Sequence, residues 1–108
     1  MAYFGSSTGA AAALVAAVWT PHPICSIVSR GGRPDLAAAA LERVRAPTLL
    51  IVGGNDWQVL KLNEVALEHL HCEGELFVVP GATHLFEEPG TLDQVAEHAR
   101  CWFTDHCP

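Results

Sequence analysis

The chain has 108 residues, half of them hydrophobic and 17% charged, with a formal net charge of −6. That length supports one domain at most, and that composition belongs to a globular fold rather than a disordered one. The basic residues Arg30, Arg33, Arg43, Arg45, Lys61 and Arg100 form no stripe and no basic-aromatic patch, which argues against nucleic acid as a partner.

Met1-Ala2-Tyr3-Phe4 reads as the tail of a strand, a stub leading into Gly5-Ser6-Ser7-Thr8-Gly9. The small-residue run Thr8 to Trp19 then predicts a helix, stopped by Thr20-Pro21-His22-Pro23. Ile24 to Ser29 is a short β-rich run closed by Arg30-Gly31-Gly32, with Cys25 expected as a buried strand residue. Asp35 to Val44 is a second alanine-rich helical segment with Asp35 as its cap, ended by Pro47. Thr48 to Val52 is apolar, β-branched and uninterrupted, as a parallel strand covered on both faces should be. It runs into Gly53-Gly54-Asn55-Asp56. Helical spacing of Val59, Leu62, Ala66, Leu67 and Leu70 predicts a helix to about His71, broken by Gly74. Leu76 to Val79 is a further strand, and the loop Ala82 to Gly90 carries His84. Thr91 and Gln94 are spaced as a capping box for a last helix, to near Asp105. This alternation predicts an α/β fold: about four parallel strands with helices on the sheet faces.

Four cysteines, Cys25, Cys72, Cys101 and Cys107, show no C-x-x-C spacing and read as scattered thiols in a reducing cytoplasm. The adjacent pairs His71-Cys72 and His106-Cys107 are poorly placed for a shared metal, so neither metal nor cofactor is expected. The longest apolar run, Ala10 to Trp19, is too short to span a membrane, and no Lys or Arg precedes it as a signal peptide would require. A cytoplasmic chain without membrane contact is the expectation; a secreted, disulfide-linked small protein is the competing one.

G-x-S-x-G is the pattern of a nucleophile elbow, a sharp strand-to-helix turn that lifts the serine hydroxyl above the sheet. Both glycines are expected to avoid collisions in so tight a turn. Alone the pentapeptide is a weak signal. Asp56 could equally cap the following helix, and His84 could be an ordinary loop histidine. Ser7, Asp56 and His84 nevertheless fall at three strand ends, on one edge of a parallel sheet, in the order Ser…Asp…His. A serine hydroxyl needs a base to take its proton, which is the role open to His84. The imidazole needs a carboxylate to orient it and stabilise its cation, the role open to Asp56. The backbone N–H of Thr8, after Ser7, is where an oxyanion donor is expected. Trp57 and Phe86 are weaker candidates for lining a substrate pocket. His22, His69 and His98 read as solvated, and Glu87, Glu88 and Asp93 as acidic surface at a helix start.

Three stretches, G-S-S-T-G-A-A-A-A-L, A-P-T-L-L-I-V-G-G-N-D and V-V-P-G-A-T-H-L-F-E-E-P-G, resemble the α/β-hydrolase superfamily, closest to its small dienelactone-hydrolase-like branch. The resemblance spans almost the whole chain and keeps the order of the motifs. It implies a serine hydrolase with Ser7 as nucleophile, Asp56 as acid and His84 as base, cleaving a small ester or related carbonyl substrate through an acyl-enzyme. Dienelactone hydrolases typically carry cysteine at the nucleophile position, so serine here points away from the dienelactone reaction itself. Superfamily members also carry about four or five further strands before the elbow, one loop of which supplies a second oxyanion donor. Residues 1–108 are therefore expected to be a single domain corresponding to the C-terminal half of such a fold. The sheet edge beside Ser7 would be open to self-association or another chain. The competing functional expectation is a catalytically silent fragment acting as an interaction module.

Overall fold

The computed structural model describes residues 1–107. Four strands, β1 (Ala2–Ser6), β2 (Ser26–Arg30), β3 (Thr48–Gly53) and β4 (Gly74–Val79), alternate with helical segments. They form one sheet in the order β1-β2-β3-β4, every neighbouring pair parallel. Three successive right-handed crossovers that step the same way across a sheet must all lie on one face. Helix α1 (Thr8–Trp19), the short-pitch turns Pro34–Arg43 and helix α2 (Trp57–His69) make those crossovers, and helix α3 (Thr91–His106) covers the other face.

Side chains alternate across a strand, so consecutive residues serve opposite cores. Ile27 joins Leu14, Ala37, Leu41 and Ala66 on the α1 side, while its neighbour Val28 joins Leu49, Ile51, Val95 and Trp102 on the α3 side. All six residues of β3 are buried, which is why its apolar run shows no alternation. Because the strands are parallel, their carboxyl ends share one edge, where Ser7, Asp56 and His84 follow β1, β3 and β4.

Several local expectations need correction. Strand β1 is no stub: its five residues pair in register from Ala2–Ser26 to Ser6–Arg30. The Pro34–Arg43 segment is not an α-helix but 3₁₀ turns broken at Ala38, at φ 49° and ψ −123°. Asp35 does not cap it, because the Arg33 guanidinium takes both carboxylate oxygens at 3.0 and 2.9 Å. Helix α2 stops at His69 with Leu70 extended, and Gly74 opens β4 instead of breaking the helix. The capping box does not form: Gly90, at φ 80°, is the N-cap, and Thr91 Oγ1 donates to the Glu88 carbonyl at 2.8 Å. Glycine enters the left-handed region without steric cost, which takes the cap position away from threonine.

Cys25 lies just before β2, half-buried, and forms a disulfide with Cys107 just after α3, Cα to Cα 5.3 Å. The expectation of four scattered thiols therefore fails for this pair, while Cys72 and Cys101 are free. No helix of the described residues is long and apolar enough to cross a membrane.

Candidate active site

Ser7 occupies the turn between β1 and α1 at φ 51° and ψ −127°, a backbone conformation that residues with a Cβ rarely adopt. Three backbone hydrogen bonds hold it there. Its N–H donates to the Arg30 carbonyl at 3.4 Å, and its carbonyl accepts from Ala10 at 3.2 Å and Arg33 at 3.1 Å. A Cβ on Gly5 would stand 2.6 Å from the Gly9 carbonyl oxygen and 2.7 Å from the Ala10 Cα, so only glycine fits. Gly9 faces open space, and the collision expected there does not arise.

Asp56 closes the turn after β3. Its N–H donates to the Gly53 carbonyl at 3.0 Å, and its own carbonyl accepts from Leu60 at 2.8 Å as α2 begins. Its carboxylate makes no cap bond to α2 and is turned to His84 instead. Two further bonds, Gly54 N–H to Val79 O at 2.8 Å and Asn55 N–H to Ala82 O at 2.9 Å, tie this turn to the loop carrying His84.

The His84 ring bridges the two. Nδ1 lies 2.9 Å from Asp56 Oδ2, and Nε2 lies 2.9 Å from Ser7 Oγ. A carboxylate only accepts, so Nδ1 carries the proton toward Asp56 and Nε2 is left to accept from the serine hydroxyl. The Asp56 side chain is 14% exposed and that of His84 40%, so the carboxylate is shielded and the base is open to an incoming molecule. The ring rests close to Gly31, where an added Cβ would come within 3.4 Å of Nδ1. Its loop is braced by Glu88, which accepts from the Thr83 N–H at 3.0 Å and the Thr83 hydroxyl at 2.7 Å. Those bonds hold the Glu88 carboxyl below its usual range. Sequence reasoning took Glu88 for acidic surface; its only signal was a carboxylate five residues beyond a threonine in the His84 loop.

Thr8 opens α1, and the first N–H groups of a helix have no partner within it. Trp57, the first residue of α2, is 75% exposed beside Asp56. Phe86 is 3% exposed and sits in the α3-side core, with the Arg30 guanidinium 5.5 Å from its ring centre. Its φ of 55° turns the chain inward, so Leu85, 61% exposed, is the residue presented outward next to His84.

The remaining histidines stand elsewhere. His22 is exposed, His69 lies 4.0 Å from Glu42, and His98 stacks on Phe77 at 3.5 Å. His106, held above its usual pKa by Glu73 at 2.8 Å, joins the end of α3 to the start of β4. Among the described residues no group of three or more His, Cys, Asp or Glu is placed to hold a metal. Clefts of about 810 and 370 Å³ are lined by residues other than Ser7, Asp56 and His84.

No protein-family model matches the chain. Among solved structures, the dienelactone hydrolase of Anabaena variabilis superposes with a TM-score of 0.94 at 56% identity, over 97% of this chain and 49% of that one. The esterase domain of a Rhodothermus marinus protein superposes at 0.83 over 94% of this chain and 60% of its own, and at 15% identity speaks for the fold alone. A Mycobacterium tuberculosis protein, named as a candidate phosphoribosyl transferase, is 62% identical over 104 residues, which are 96% of this chain and 24% of that protein. The chain thus spans about half of the dienelactone hydrolase and about a quarter of the mycobacterial relative. Its parallel sheet and its 56% identity to the Anabaena variabilis protein make the chain similar, over about half of that protein's length, to a dienelactone-hydrolase-like α/β-hydrolase.

Proposed function

We propose that the chain carries the catalytic half of a serine hydrolase acting on small esters or related carbonyl compounds. The observation behind this reading is the hydrogen-bonded series Ser7–His84–Asp56, with both links at 2.9 Å. In the first half-reaction Ser7 Oγ attacks the substrate carbonyl carbon as His84 Nε2 takes the hydroxyl proton. The C–O π pair moves onto oxygen, and the N–H of Thr8, at the positive end of α1, donates to that oxyanion. Collapse expels the alkoxide, which leaves with the proton from Nε2, and Ser7 is acylated. Water then attacks the acyl-enzyme with His84 as base, releasing the acid and restoring the hydroxyl. Asp56 stays ionised throughout and fixes the imidazole tautomer. Trp57 and Leu85 offer apolar contact to the substrate beside this centre; no cofactor enters the reaction. The proposed compartment is the cytoplasm.

The mycobacterial relative's name belongs to a protein about four times as long, of which this chain matches 24%. Nothing in the Ser7–His84–Asp56 series suits transfer of a phosphoribosyl group, so hydrolysis is the reading for this segment. A fluorophosphonate probe is expected to label Ser7, with labelling abolished in Ser7→Ala. p-Nitrophenyl acetate turnover should fall at least ~10³-fold in Ser7→Ala and His84→Ala, as for other nucleophile and base deletions. Phosphoribosyl diphosphate should release no pyrophosphate. Equal labelling of Ser7→Ala would exclude the assignment, and absence of labelling in both would leave a silent interaction module.

A further inference from the structure

Helix α2 has two buried residues, Ala66 and Asn63, and Asn63 is 0% exposed although polar. A helix face turned to a core is normally apolar, and Asn63 breaks that rule. Burying an amide costs stability unless its groups are paired. Asn63 pairs only one end. Nδ2 donates to the Gly32 carbonyl at 3.0 Å and to the Val59 carbonyl, one turn back on α2, at 2.8 Å. Two carbonyl acceptors fix the orientation of the amide, and Oδ1 is left buried without a hydrogen-bond partner. A leucine of similar size would fill the space without an orphaned acceptor, so packing does not account for the amide. What the amide alone supplies is the bond to Gly32.

Gly32 belongs to the turn 30–33 after β2, and this turn supports both the nucleophile and the base. The Arg30 carbonyl accepts from the Ser7 N–H at 3.4 Å, and the Arg33 N–H donates to the Ser7 carbonyl at 3.1 Å. These are two of the three backbone bonds that hold the strained serine. Gly31 lies against the His84 ring, where an added Cβ would stand 3.4 Å from Nδ1 and 3.5 Å from Cε1. At Gly32 an added Cβ would collide with Ser29 Oγ and Ala10 Cβ, so the backbone passes where no side chain fits. Among the described residues no backbone N–H reaches the Gly32 carbonyl, and Asn63 supplies its donor. Asn63 also stands on the helix whose N-cap residue is Asp56. One side chain therefore ties the element that follows the carboxylate to the turn that braces Ser7 and His84.

We infer that Asn63 is a positioning residue for the Ser7–His84–Asp56 centre, its bond to the Gly32 carbonyl holding the turn 30–33 where Ser7 Oγ and His84 Nε2 stay in line. Asn63 touches neither substrate nor reacting atoms and acts through the backbone of Arg30, Gly31 and Arg33. Without its donor the Gly32 carbonyl has no partner inside a buried turn, and the turn must shift to find one. A displacement of about 1 Å at groups remote from the chemistry is enough to cost roughly 10²-fold in rate. The kinetic part of this inference rests on the hydrolase reading, whereas the hold of Asn63 on the backbone at Ser7 is measurable without it.

The test uses the whole chain. In the wild type the Nδ2 protons of Asn63 are expected to exchange with water at least ~10-fold more slowly than the side-chain amide protons of Gln58, exposed on the same helix. That measurement needs no variant to fold. Asn63→Leu fills the space and Asn63→Ala empties it, yet both remove the donor. Both should lose exchange protection at the Ser7 and Arg33 amides, and the fluorophosphonate should label both roughly 10- to 100-fold more slowly. Turnover of p-nitrophenyl acetate should fall in kcat, with KM within about twofold of the wild type. Val44→Ala, a cavity variant in the same α1-side core, controls for lost stability and should keep the wild-type labelling rate. Asn63 variants labelled as fast as Val44→Ala would overturn the inference, as would a loss confined to Asn63→Ala. So would wild-type Nδ2 protons that exchange like those of Gln58. A wild type that resists the probe, while both Asn63 variants still loosen the Ser7 and Arg33 amides, would sink the hydrolase reading alone.

Discussion

Ser7 carries a local backbone cost, as Ala38 does at nearly the same angles. An L-residue at φ 51° and ψ −127° is strained by about 1–3 kcal/mol, retained only because its surroundings fix it. Here the fixing groups are Arg30, Ala10 and Arg33 through backbone bonds, with Gly5 leaving room beneath. Glycine adopts that conformation freely but loses roughly 0.5–1 kcal/mol through its looser unfolded state. Ser7→Gly is therefore expected to exceed Ser7→Ala in stability by about 1 kcal/mol, a Tm higher by roughly 4 °C for a domain of this size. Calorimetry on both variants measures it, and a Ser7→Gly melting point below that of Ser7→Ala would mean the elbow stores no strain, since glycine's entropic cost would then stand alone. The candidate residues were legible because strand ends are legible: a β-branched run that stops at Gly-Gly-Asn-Asp places its aspartate on the sheet edge. The contrast between Phe86 and Leu85 was not legible. A single positive φ decides which of two neighbouring apolar side chains faces inward, and nothing in Leu-Phe-Glu-Glu announces it.

Among the elements, α1 and β3 followed directly from continuous patterns, an alanine-rich run of 12 residues in one case and an unbroken apolar run in the other. The Pro34–Arg43 segment did not, because alanine favours a helix without fixing where it breaks, and the Arg33–Asp35 pair removed the expected cap. The His84 loop shows the same limit. Its shape depends on Glu88, whose two bonds to Thr83 fold the loop on itself. Those bonds hold the Glu88 carboxyl below its ordinary value of 4.5. A depressed carboxyl stabilises the fold above its unfolded pKa and loses that contribution as pH falls through the folded value. Hydrogen-exchange protection at the Thr83 amide is thus expected to be constant near neutral pH and to decline below about pH 4.5. In Glu88→Gln the neutral-pH protection should be lower and the decline absent. A variant that keeps the wild-type profile would show that Glu88 does not hold the loop.

At the scale of the molecule, one covalent link that local sequence did not foretell ties the start of β2 to the end of α3. Cys25 and Cys107 are 82 residues apart, without any motif spacing, and come together only because α3 crosses the sheet face toward the amino ends of the strands. Ser7 lies at the carboxyl ends, so the link braces the scaffold and stands clear of the proposed chemistry. Tying so long a loop restricts the unfolded chain and contributes about 2–4 kcal/mol. Cys25→Ser is accordingly expected to lower the melting temperature by roughly 10 °C or more. Cys72→Ser and Cys101→Ser, at the two free thiols, should leave the bond itself in place. Alkylation before and after reduction reads the same bond by mass, with two thiols reacting first and four after reduction. A reducing cytoplasm opposes such bonds. Protein alkylated as cells are broken open therefore separates two states: four reacting thiols mean that the chain works there as a dithiol with the lower stability of Cys25→Ser. Two reacting thiols would place it in an oxidising compartment and overturn the cytoplasmic assignment. If Cys25→Ser melts with the oxidised wild type, the end of α3 is held to the start of β2 by packing alone and the bond adds nothing to the fold.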